Sequence, residues 1–236
     1  MAALQVCTSN DAPHRQRKAA AAAFYTINEE RQENLPVKVY PFNALLARMK
    51  YISRWGLMRS ARTETLSEHT ADAAILAHTL CLIAQKQFGQ NVRPETVAVA
   101  ALYHDASEIM TGDMPTPVKY KTESLRKAYK ALEKDAALSI AGLLPEALQP
   151  EMAGYLTGEV LNDKEKQLLK AADRLSAYLK CIDEERSGNR EFRGAKAQQE
   201  AAIDEMDCPE ANYFMAHMLP CYHWTLDELS SGEHAE

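Results

Sequence analysis

The chain has 236 residues, and 27 lysines and arginines against 33 aspartates and glutamates give a formal net charge of −6. The length suits one globular domain with a tail, and 46% hydrophobic with 25% charged residues excludes wholesale disorder. The acidic balance argues against general nucleic-acid binding, which needs basic surface. No apolar run approaches the ~18 residues of a membrane-spanning helix, so none is predicted.

The first 41 residues differ from the rest and are predicted to be a poorly ordered extension. They hold a basic patch over 14–18, an alanine run over 19–23 and a polar stretch that ends at Pro36 and Pro41. They contain no hydrophobic core of the kind a secretory signal needs. A domain is expected over 42–231, followed by a short tail over 232–236.

The five cysteines are odd in number and form no CxxC, which suggests neither a disulfide framework nor a thiolate zinc site. Cys81 and Cys181 fall in apolar helical patterns and are expected to be small buried side chains. Reduced thiols indicate residence inside the cell, and the predicted location is the cytoplasm.

From Phe42 onward the pattern is helical throughout. Thr65 and Glu68 form a capping box that opens a helix running to about Phe88 and ending at Gly89. Pro94 suits the first position of the next helix. No alternating strand pattern appears, so the predicted fold class is all-α. Further helices are expected over 123–142, 145–157, 163–187, 191–206 and 209–218.

The residues best suited to catalysis or metal binding are a histidine and its neighbours on the helix that begins at Pro94. Val97, Ala101, His104 and Glu108 recur at steps of four, three and four, which predicts one inward stripe on a continuous helix. Buried ionisable groups need partners or a metal. Asp105 lies one position round the helix and can reach the same pocket.

Two distant residues extend this set. His69 opens the long helix on its apolar face, and Asp173 lies beside the apolar stripe of the 163–187 helix. Two neutral imidazoles and two carboxylates suit a divalent transition ion and leave coordination positions open for water and substrate. Spacing alone does not distinguish this from buried structural histidines.

The ordered series of motifs resembles a known family. His69, the pair His104-Asp105 and the distant Asp173 reproduce the pattern of the HD-domain metal-dependent phosphohydrolases. Within that superfamily, the chain over about 42–231 closely resembles the bacterial 5′-deoxynucleotidases. The blocks that carry the resemblance are RWGLMR at 54–59, SEH at 67–69, YHDASE at 103–108, TGDMPTPVKY at 111–120 and ADRLSAYLKC at 172–181.

The resemblance implies an HD-domain helical bundle, a homodimer, and removal of phosphate from deoxyribonucleoside 5′-monophosphates in preference to ribonucleotides. It implies one divalent ion per subunit, with Co, Mn, Zn and Fe equally acceptable to such ligands. Glu108 would be the general base and Arg54 the phosphate ligand. The implied metal ligands are His69, His104, Asp105 and Asp173.

The resemblance also implies a substrate site. Trp55 would exclude a 2′-hydroxyl, whereas Asp113 would either protonate the leaving 5′-oxygen or bind the 3′-hydroxyl. Arg59 and Arg62 add local positive charge that could attract an anion. The implied substrate-binding residues are Arg54, Trp55, Asp105, Asp113, Met114, Pro115, Thr116 and Asp173.

Two alternatives remain open at the level of sequence. One is another phosphohydrolase of the superfamily, such as a cyclic-nucleotide diesterase or a guanosine polyphosphate hydrolase. The other is a helical binding module that has lost catalysis, which the presence of all four ligands and Glu108 disfavours. No GxSxG, GxxxxGK[ST], GxGxxG or HExxH motif points to another enzyme class.

Overall fold

The structure, a computed structural model, describes residues 37–119 and 121–231, with the side chain of Thr116 outside that description. Its compact unit begins at Tyr40. The predicted extension over 1–41 lies outside the described residues except for 37–41, and the predicted tail over 232–236 lies wholly outside them. Across the described ranges the only extended pairing is an isolated bridge between Ser53 and Thr65, which confirms the all-α prediction. None of the described helices combines the length and apolar character that a membrane span requires.

The described α-helices range in length from four to 24 residues. Four 3₁₀ turns over Ala47–Tyr51, Glu146–Leu148, Arg190–Phe192 and Leu219–His223 join some of them. The described helices, in chain order, are α1 (Phe42–Leu46), α2 (Leu66–Phe88), α3 (Pro94–Tyr103), α4 (Glu108–Thr111), α5 (Thr116–Lys119), α6 (Glu123–Ala141), α7 (Gln149–Leu156), α8 (Asp163–Arg186), α9 (Arg193–Asp204), α10 (Pro209–His217) and α11 (Leu226–Ser231).

Helix α2 begins and ends as its sequence predicts. The Thr65 hydroxyl accepts from the Glu68 backbone N–H, and the Glu68 carboxylate accepts from the Thr65 backbone N–H, which completes the capping box. Gly89 ends the helix in the left-handed region at φ 63°, a conformation that favours glycine. The cap fixes the first turn, and that turn carries His69.

The main core lies where α2, α3 and α8 pack together, with α10 alongside. Its fully buried side chains include Leu80, Val97, Leu168, Leu175 and Phe214. A second capping box, Asn162 with Glu165, opens α8. A smaller cluster around Phe42, Leu66, Ile140 and Leu156 packs α6 and α7 against α1 and the start of α2. Cys81 and Cys181 are buried and free, as predicted.

One predicted helix is interrupted. The continuous helix expected from Pro94 through His104 to Glu108 is wrong, because α3 ends at Tyr103 and a turn over 104–107 precedes α4. Val97 and Ala101 are buried on α3 as expected, but Glu108 stands on a separate short helix. Beyond α4, the TGDMPTPVKY block at 111–120 contains the start of α5. The break redirects the chain at His104 and Asp105, two of the predicted metal ligands.

Candidate metal and nucleotide site

Three helices bring the four predicted metal ligands together. His69 lies in the capped first turn of α2, His104 and Asp105 follow the end of α3, and Asp173 lies midway along α8. One donor atom from each of His69, His104 and Asp105 lies within 4.8 Å of the others. Asp173 Oδ1 approaches the Nε2 atoms of His69 and His104 at 3.1 and 3.8 Å. Asp105 Oδ2 is 3.5 and 3.3 Å from the same two nitrogens.

The other ring nitrogen of each histidine has a partner that orients the imidazole. His104 Nδ1 donates to the Ala101 carbonyl at 2.6 Å, and His69 Nδ1 lies 3.0 Å from the buried Ser176 hydroxyl. Among the described residues, both Nε2 atoms are buried without a hydrogen-bond partner. With Nδ1 held by a partner, each imidazole turns its Nε2 towards the carboxylates, where both groups could bind the same cation. The donor set therefore fits a divalent ion.

The carboxylates and imidazoles of this cluster shift one another's pKa values. Burial lowers the pKa of His104, but Asp105 and Asp173 outweigh burial and raise that pKa to about 9. Burial raises the pKa of Asp173, yet the neighbouring imidazoles of His104 and His69 hold that pKa well below the ordinary value. Concentrated negative charge beside two imidazoles is an environment that attracts a cation.

Arg54 reaches the cluster from the segment before α2. Its Nη1 donates to Asp105 Oδ2 at 3.1 Å, and its Nε lies 3.3 Å from Glu64 Oε2. Burial lowers the pKa of Arg54, but Asp105 and the neighbouring acids outweigh burial and raise it. A guanidinium fixed on one side by carboxylates keeps its remaining donors for an anion.

Trp55 adopts a backbone conformation that is rare for a bulky residue, with φ 61°. Its backbone N–H donates to Asp113 Oδ2 at 3.2 Å, and its indole Nε1–H donates to Glu64 Oε2 at 2.8 Å. Its ring packs against Phe192 with centroids 5.2 Å apart. Three contacts therefore hold the indole in one orientation.

Glu108 is buried, and its Oε2 has no hydrogen-bond partner among the described residues. Burial, together with the charges of Asp105 and Asp113, raises its pKa to about 9. A carboxyl in such surroundings holds a proton at neutral pH until nearby positive charge favours ionisation.

The predicted substrate loop follows α4. Gly112, at φ 74°, turns the chain so that Asp113 reaches the Trp55 backbone. Asp113 and Pro115 line a cavity of about 440 Å³, whereas Met114 is half-buried and is not among its lining residues. Thr116 begins α5, but the role predicted for its side chain lies outside the described part of the chain.

The cavity joins predicted and unpredicted residues. Arg54, Trp55, Asp113 and Asp173 line it, and Asp173 also belongs to the predicted metal cluster. Two sets of residues were not predicted from sequence, namely Glu64 and the residues of α8 and α9 that line the rest of the cavity, because nothing in their spacing marks them. Arg62, predicted to attract an anion here, instead pairs with Glu68 and lines a different cavity. The lining residues missed from sequence are Lys170, Arg174, Gln198 and Gln199.

Solved structures share this architecture. An HD-domain phosphohydrolase from Listeria innocua matches with a TM-score of 0.68 at 23% identity, over 77% of this chain and 87% of its own. The cyanophage S-2L HD phosphohydrolase DatZ, solved with dA and one catalytic Zn²⁺, matches with a TM-score of 0.54 at 20% identity, over 80% and 98%. These likenesses show that the chain shares the fold of these proteins, and its histidine–aspartate cluster lies where three helices of that fold meet.

Comparison by sequence is more specific. The model of the YfbR-like family, described as 5′-deoxynucleotidase YfbR-like, matches residues 41–222. The 5′-deoxynucleotidase YfbR of Escherichia coli O127:H6 is 47% identical over 189 residues, which is 80% of this chain and 95% of the relative. The chain belongs to the YfbR-like family of 5′-deoxynucleotidases, which confirms the predicted family and the predicted class of hydrolase.

Proposed function

We propose that the protein hydrolyses deoxyribonucleoside 5′-monophosphates to deoxyribonucleosides and inorganic phosphate, and that it discriminates against ribonucleotides. The observation that carries the proposal is the pair of buried, unpartnered Nε2 atoms of His69 and His104. They face Asp105 and Asp173 beside the Arg54 guanidinium, and Arg54 and Asp173 also line a nucleotide-sized cavity. The relatives named 5′-deoxynucleotidase and the dA-bound, zinc-bound DatZ support it.

His69, His104, Asp105 and Asp173 would hold the divalent ion. When bound, the ion would act as a Lewis acid on the phosphate and would lower the pKa of a bound water towards neutrality. Cellular availability selects among Co, Mn, Zn and Fe, because a mixed histidine–aspartate set accepts each of them.

The protein's own groups position the phosphate and move protons. Arg54 binds phosphate oxygens through the donors that Asp105 and Glu64 do not occupy. Glu108 accepts the proton of the water that attacks phosphorus, the bond from phosphorus to the 5′-oxygen breaks, and the 5′-oxygen takes up a proton from solvent to leave as the hydroxyl of the deoxyribonucleoside. Added positive charge near Glu108 favours the ionised form that this role requires.

The sugar would lie against Trp55. The indole is held by Glu64 and Phe192 while Asp113 accepts from the Trp55 backbone, and in this position it would exclude a 2′-hydroxyl. Asp113 already accepts the Trp55 backbone N–H through Oδ2, and this contact supports its role as the 3′-hydroxyl ligand through the other oxygen. Met114, Pro115 and Thr116 complete the proposed substrate-binding loop.

The test is phosphate release by metal-stripped protein to which Mn²⁺, Co²⁺ or Zn²⁺ is added. Substrates are dAMP, AMP and deoxyadenosine 3′-monophosphate. His104→Ala is the inactive variant, and His78→Ala, on the same helix as His69, is the matched control. Metal-dependent hydrolysis of dAMP alone, lost in His104→Ala and kept in His78→Ala, is the expected result.

Other outcomes would redirect the proposal. Equal turnover of AMP would keep the metal site and contradict the role of Trp55. No release with any ion would contradict the proposal and favour a diesterase, a guanosine polyphosphate hydrolase or a binding module, which cyclic nucleotides and ppGpp added to the same assay would separate.

The implied homodimer and cytoplasmic location belong to the same proposal. Ile75 and Leu82, seven residues apart on α2, are exposed apolar side chains that an interface between two copies could cover. Light scattering of the purified chain should give twice the 26.4 kDa mass of one subunit. A single-subunit mass would contradict the dimer.

A further inference from the structure

Residues 54–64 form a loop that carries the proposed phosphate and sugar contacts. The Arg54 backbone N–H donates to the Glu64 carbonyl at 3.0 Å, which closes the base of the loop. The five residues over 54–58 line the cavity. The backbone pairing fixes only the two ends of the loop, so the part between them needs contacts of its own to keep one position.

Glu184, near the end of α8, accepts hydrogen bonds from the backbone of this loop. It is 1% exposed. Its Oε2 accepts from the Ala61 backbone N–H at 2.7 Å, and its Oε1 accepts from the Arg62 backbone N–H at 3.3 Å. Lys180, one turn earlier on α8, donates to Glu184 Oε1 and to the Arg62 carbonyl. A buried ion pair therefore binds both the N–H and the carbonyl groups of the loop.

The turn that follows α8 contacts the same loop closer to Trp55. Asn189 Nδ2 donates to Glu184 Oε2 and to the Arg59 carbonyl, at 2.7 Å in each case. Phe192, three residues further on, is fully buried, and its ring is the one that packs against the Trp55 indole. The stretch from Glu184 to Phe192 therefore holds the loop through its backbone and through the indole ring.

The contact at Glu184 requires a carboxylate. Among the described residues, the four groups bonded to its two oxygens are all N–H donors. Burial raises the pKa of Glu184, but hydrogen bonds from Lys180, Ala61 and Asn189 outweigh burial and lower that pKa to about 2. The side chain is therefore ionised at neutral pH. A glutamine of the same shape would place its amide N–H₂ group against two of these donors.

We propose that Glu184 is a positioning residue for sugar selection, because its carboxylate holds the loop so that the Trp55 indole stays where it excludes a 2′-hydroxyl. The inference rests on the proposed function, which assigns sugar selection to Trp55. Glu184 does not line the substrate cavity, so it acts on the substrate only through the loop. Trp55 has φ 61°, and a bulky residue keeps such a conformation only where its surroundings impose it.

The experiment uses the full-length protein supplied with Mn²⁺, Co²⁺ or Zn²⁺ and compares Glu184→Gln with Glu185→Gln. Glu185 is the matched control, because it is the next residue on α8 and pairs with Lys196 of α9 instead of the loop. Asn189→Ala leaves the buried ion pair intact and carries the test if Glu184→Gln does not fold. Thermal unfolding identifies the folded variants.

Two quantities are measured. The first is the emission and acrylamide quenching of Trp55 in a Trp224→Phe background, where Trp55 is the only tryptophan. The second is kcat and KM for dAMP and for AMP. We expect Glu184→Gln to shift the Trp55 emission to the red, to increase its quenching and to lower the dAMP-to-AMP ratio of kcat/KM by about tenfold. Misplacement by about 1 Å can cost ~100-fold, and a loosened loop should cost less.

The change should appear mainly as a higher KM for dAMP, because the metal ligands are left intact. Asn189→Ala should change both quantities in the same direction by less, since it removes only part of the contact. Glu185→Gln should leave both quantities at their wild-type values.

An unchanged Trp55 emission in folded Glu184→Gln would overturn the inference, and so would an unchanged dAMP-to-AMP ratio. Equal changes in Glu185→Gln would also overturn it, because they would reflect a general loosening of α8. Equal hydrolysis of dAMP and AMP by the wild type would overturn it together with the role of Trp55. If the wild type hydrolysed neither nucleotide, the proposed function would fail, and the Trp55 emission would still decide whether Glu184 holds the loop.

Discussion

Glu64 connects the two residues on which phosphate binding and sugar selection depend. It is buried, and its Oε2 accepts from the Trp55 indole at 2.8 Å and lies 3.3 Å from Arg54 Nε. A single carboxylate oxygen therefore orients a cation and an aromatic ring together. Neither distance places Glu64 on the substrate, so it is a positioning residue.

Glu64→Gln should weaken both functions, because an amide replaces a charged group that accepts a hydrogen bond from Trp55 and forms an ion pair with Arg54. We expect kcat/KM for dAMP to fall by about tenfold, in line with the loss of a charge-assisted hydrogen bond, and the dAMP-to-AMP ratio to shrink. Glu200→Gln, an exposed site on α9, is the control. A lower rate with an unchanged sugar ratio would contradict the link to Trp55.

Ser176 contacts the predicted metal ligand His69 at Nδ1, the ring nitrogen that does not face the carboxylates. Its hydroxyl lies 3.0 Å from His69 Nδ1, and both side chains are buried. Ser176→Ala should lower metal affinity by about 10- to 100-fold, the usual cost of removing such a partner, and this can be measured by competition with a chelating dye. Ser139→Ala, on the exposed face of α6, should bind metal normally. Equal affinities in the two variants would show that Ser176 does not orient His69.

At the scale of elements, an ion pair joins the starts of α3 and α8. Glu165 is fully buried, belongs to the capping box of α8, and accepts from the backbone and side chain of Arg93, the residue before α3. Hydrogen bonds from Arg93 lower the pKa of Glu165 to about 2. The ordinary value is about 4.3, so the contact stabilises the folded state above that pH and is lost as pH falls through about 2.

Glu165→Gln should therefore reduce the free energy of unfolding at pH 7 by about 1–3 kcal/mol, the cost of leaving charged hydrogen bonds incomplete in a buried place. The difference from wild type should shrink between pH 5 and pH 2, as the wild-type contact is lost. Urea unfolding at several pH values checks this. Glu151→Gln, exposed on α7, should follow wild type throughout, and a gap that stays constant with pH would contradict the assignment.

Local signals predicted most of the elements, and the exceptions have physical reasons. The capping box at Thr65 and the glycine at 89 involve neighbouring residues, so both ends of α2 could be read from the sequence. The end of α3 could not, because the apolar spacing from Val97 to His104 is that of a helix and the break depends on contacts made by the turn. Glu64 and Arg174 were missed because their partners are distant in sequence or unmarked by pattern.

At the scale of the whole molecule, the metal cluster connects α2, the end of α3 and α8, the three helices that also form the main core. An ion that binds only the folded chain should stabilise the entire domain. At a hundredfold excess over its dissociation constant, the gain is about 2.7 kcal/mol. Chelation should remove it.

Thermal unfolding with and without Mn²⁺, Co²⁺ or Zn²⁺ measures this linkage directly. We expect the ion to raise the Tm of wild type and of Arg54→Met, which keeps all four ligands, and to leave that of His104→Ala unchanged. A metal-dependent rise in His104→Ala equal to that of wild type would show that the ion binds elsewhere.

The interruption after Tyr103 has a consequence for anyone who would transplant this centre. On an uninterrupted helix, His104 and Asp105 would point about 100° apart, since an α-helix turns once every ~3.6 residues. Ala101 lies in the last turn of α3, where carbonyl groups lack helical partners, and its oxygen is free to accept from the imidazole. A designed bundle that copied only the ligands would lack the turn that brings His104 and Asp105 together and the free Ala101 carbonyl that orients His104. The graft therefore has to include the turn over 104–107.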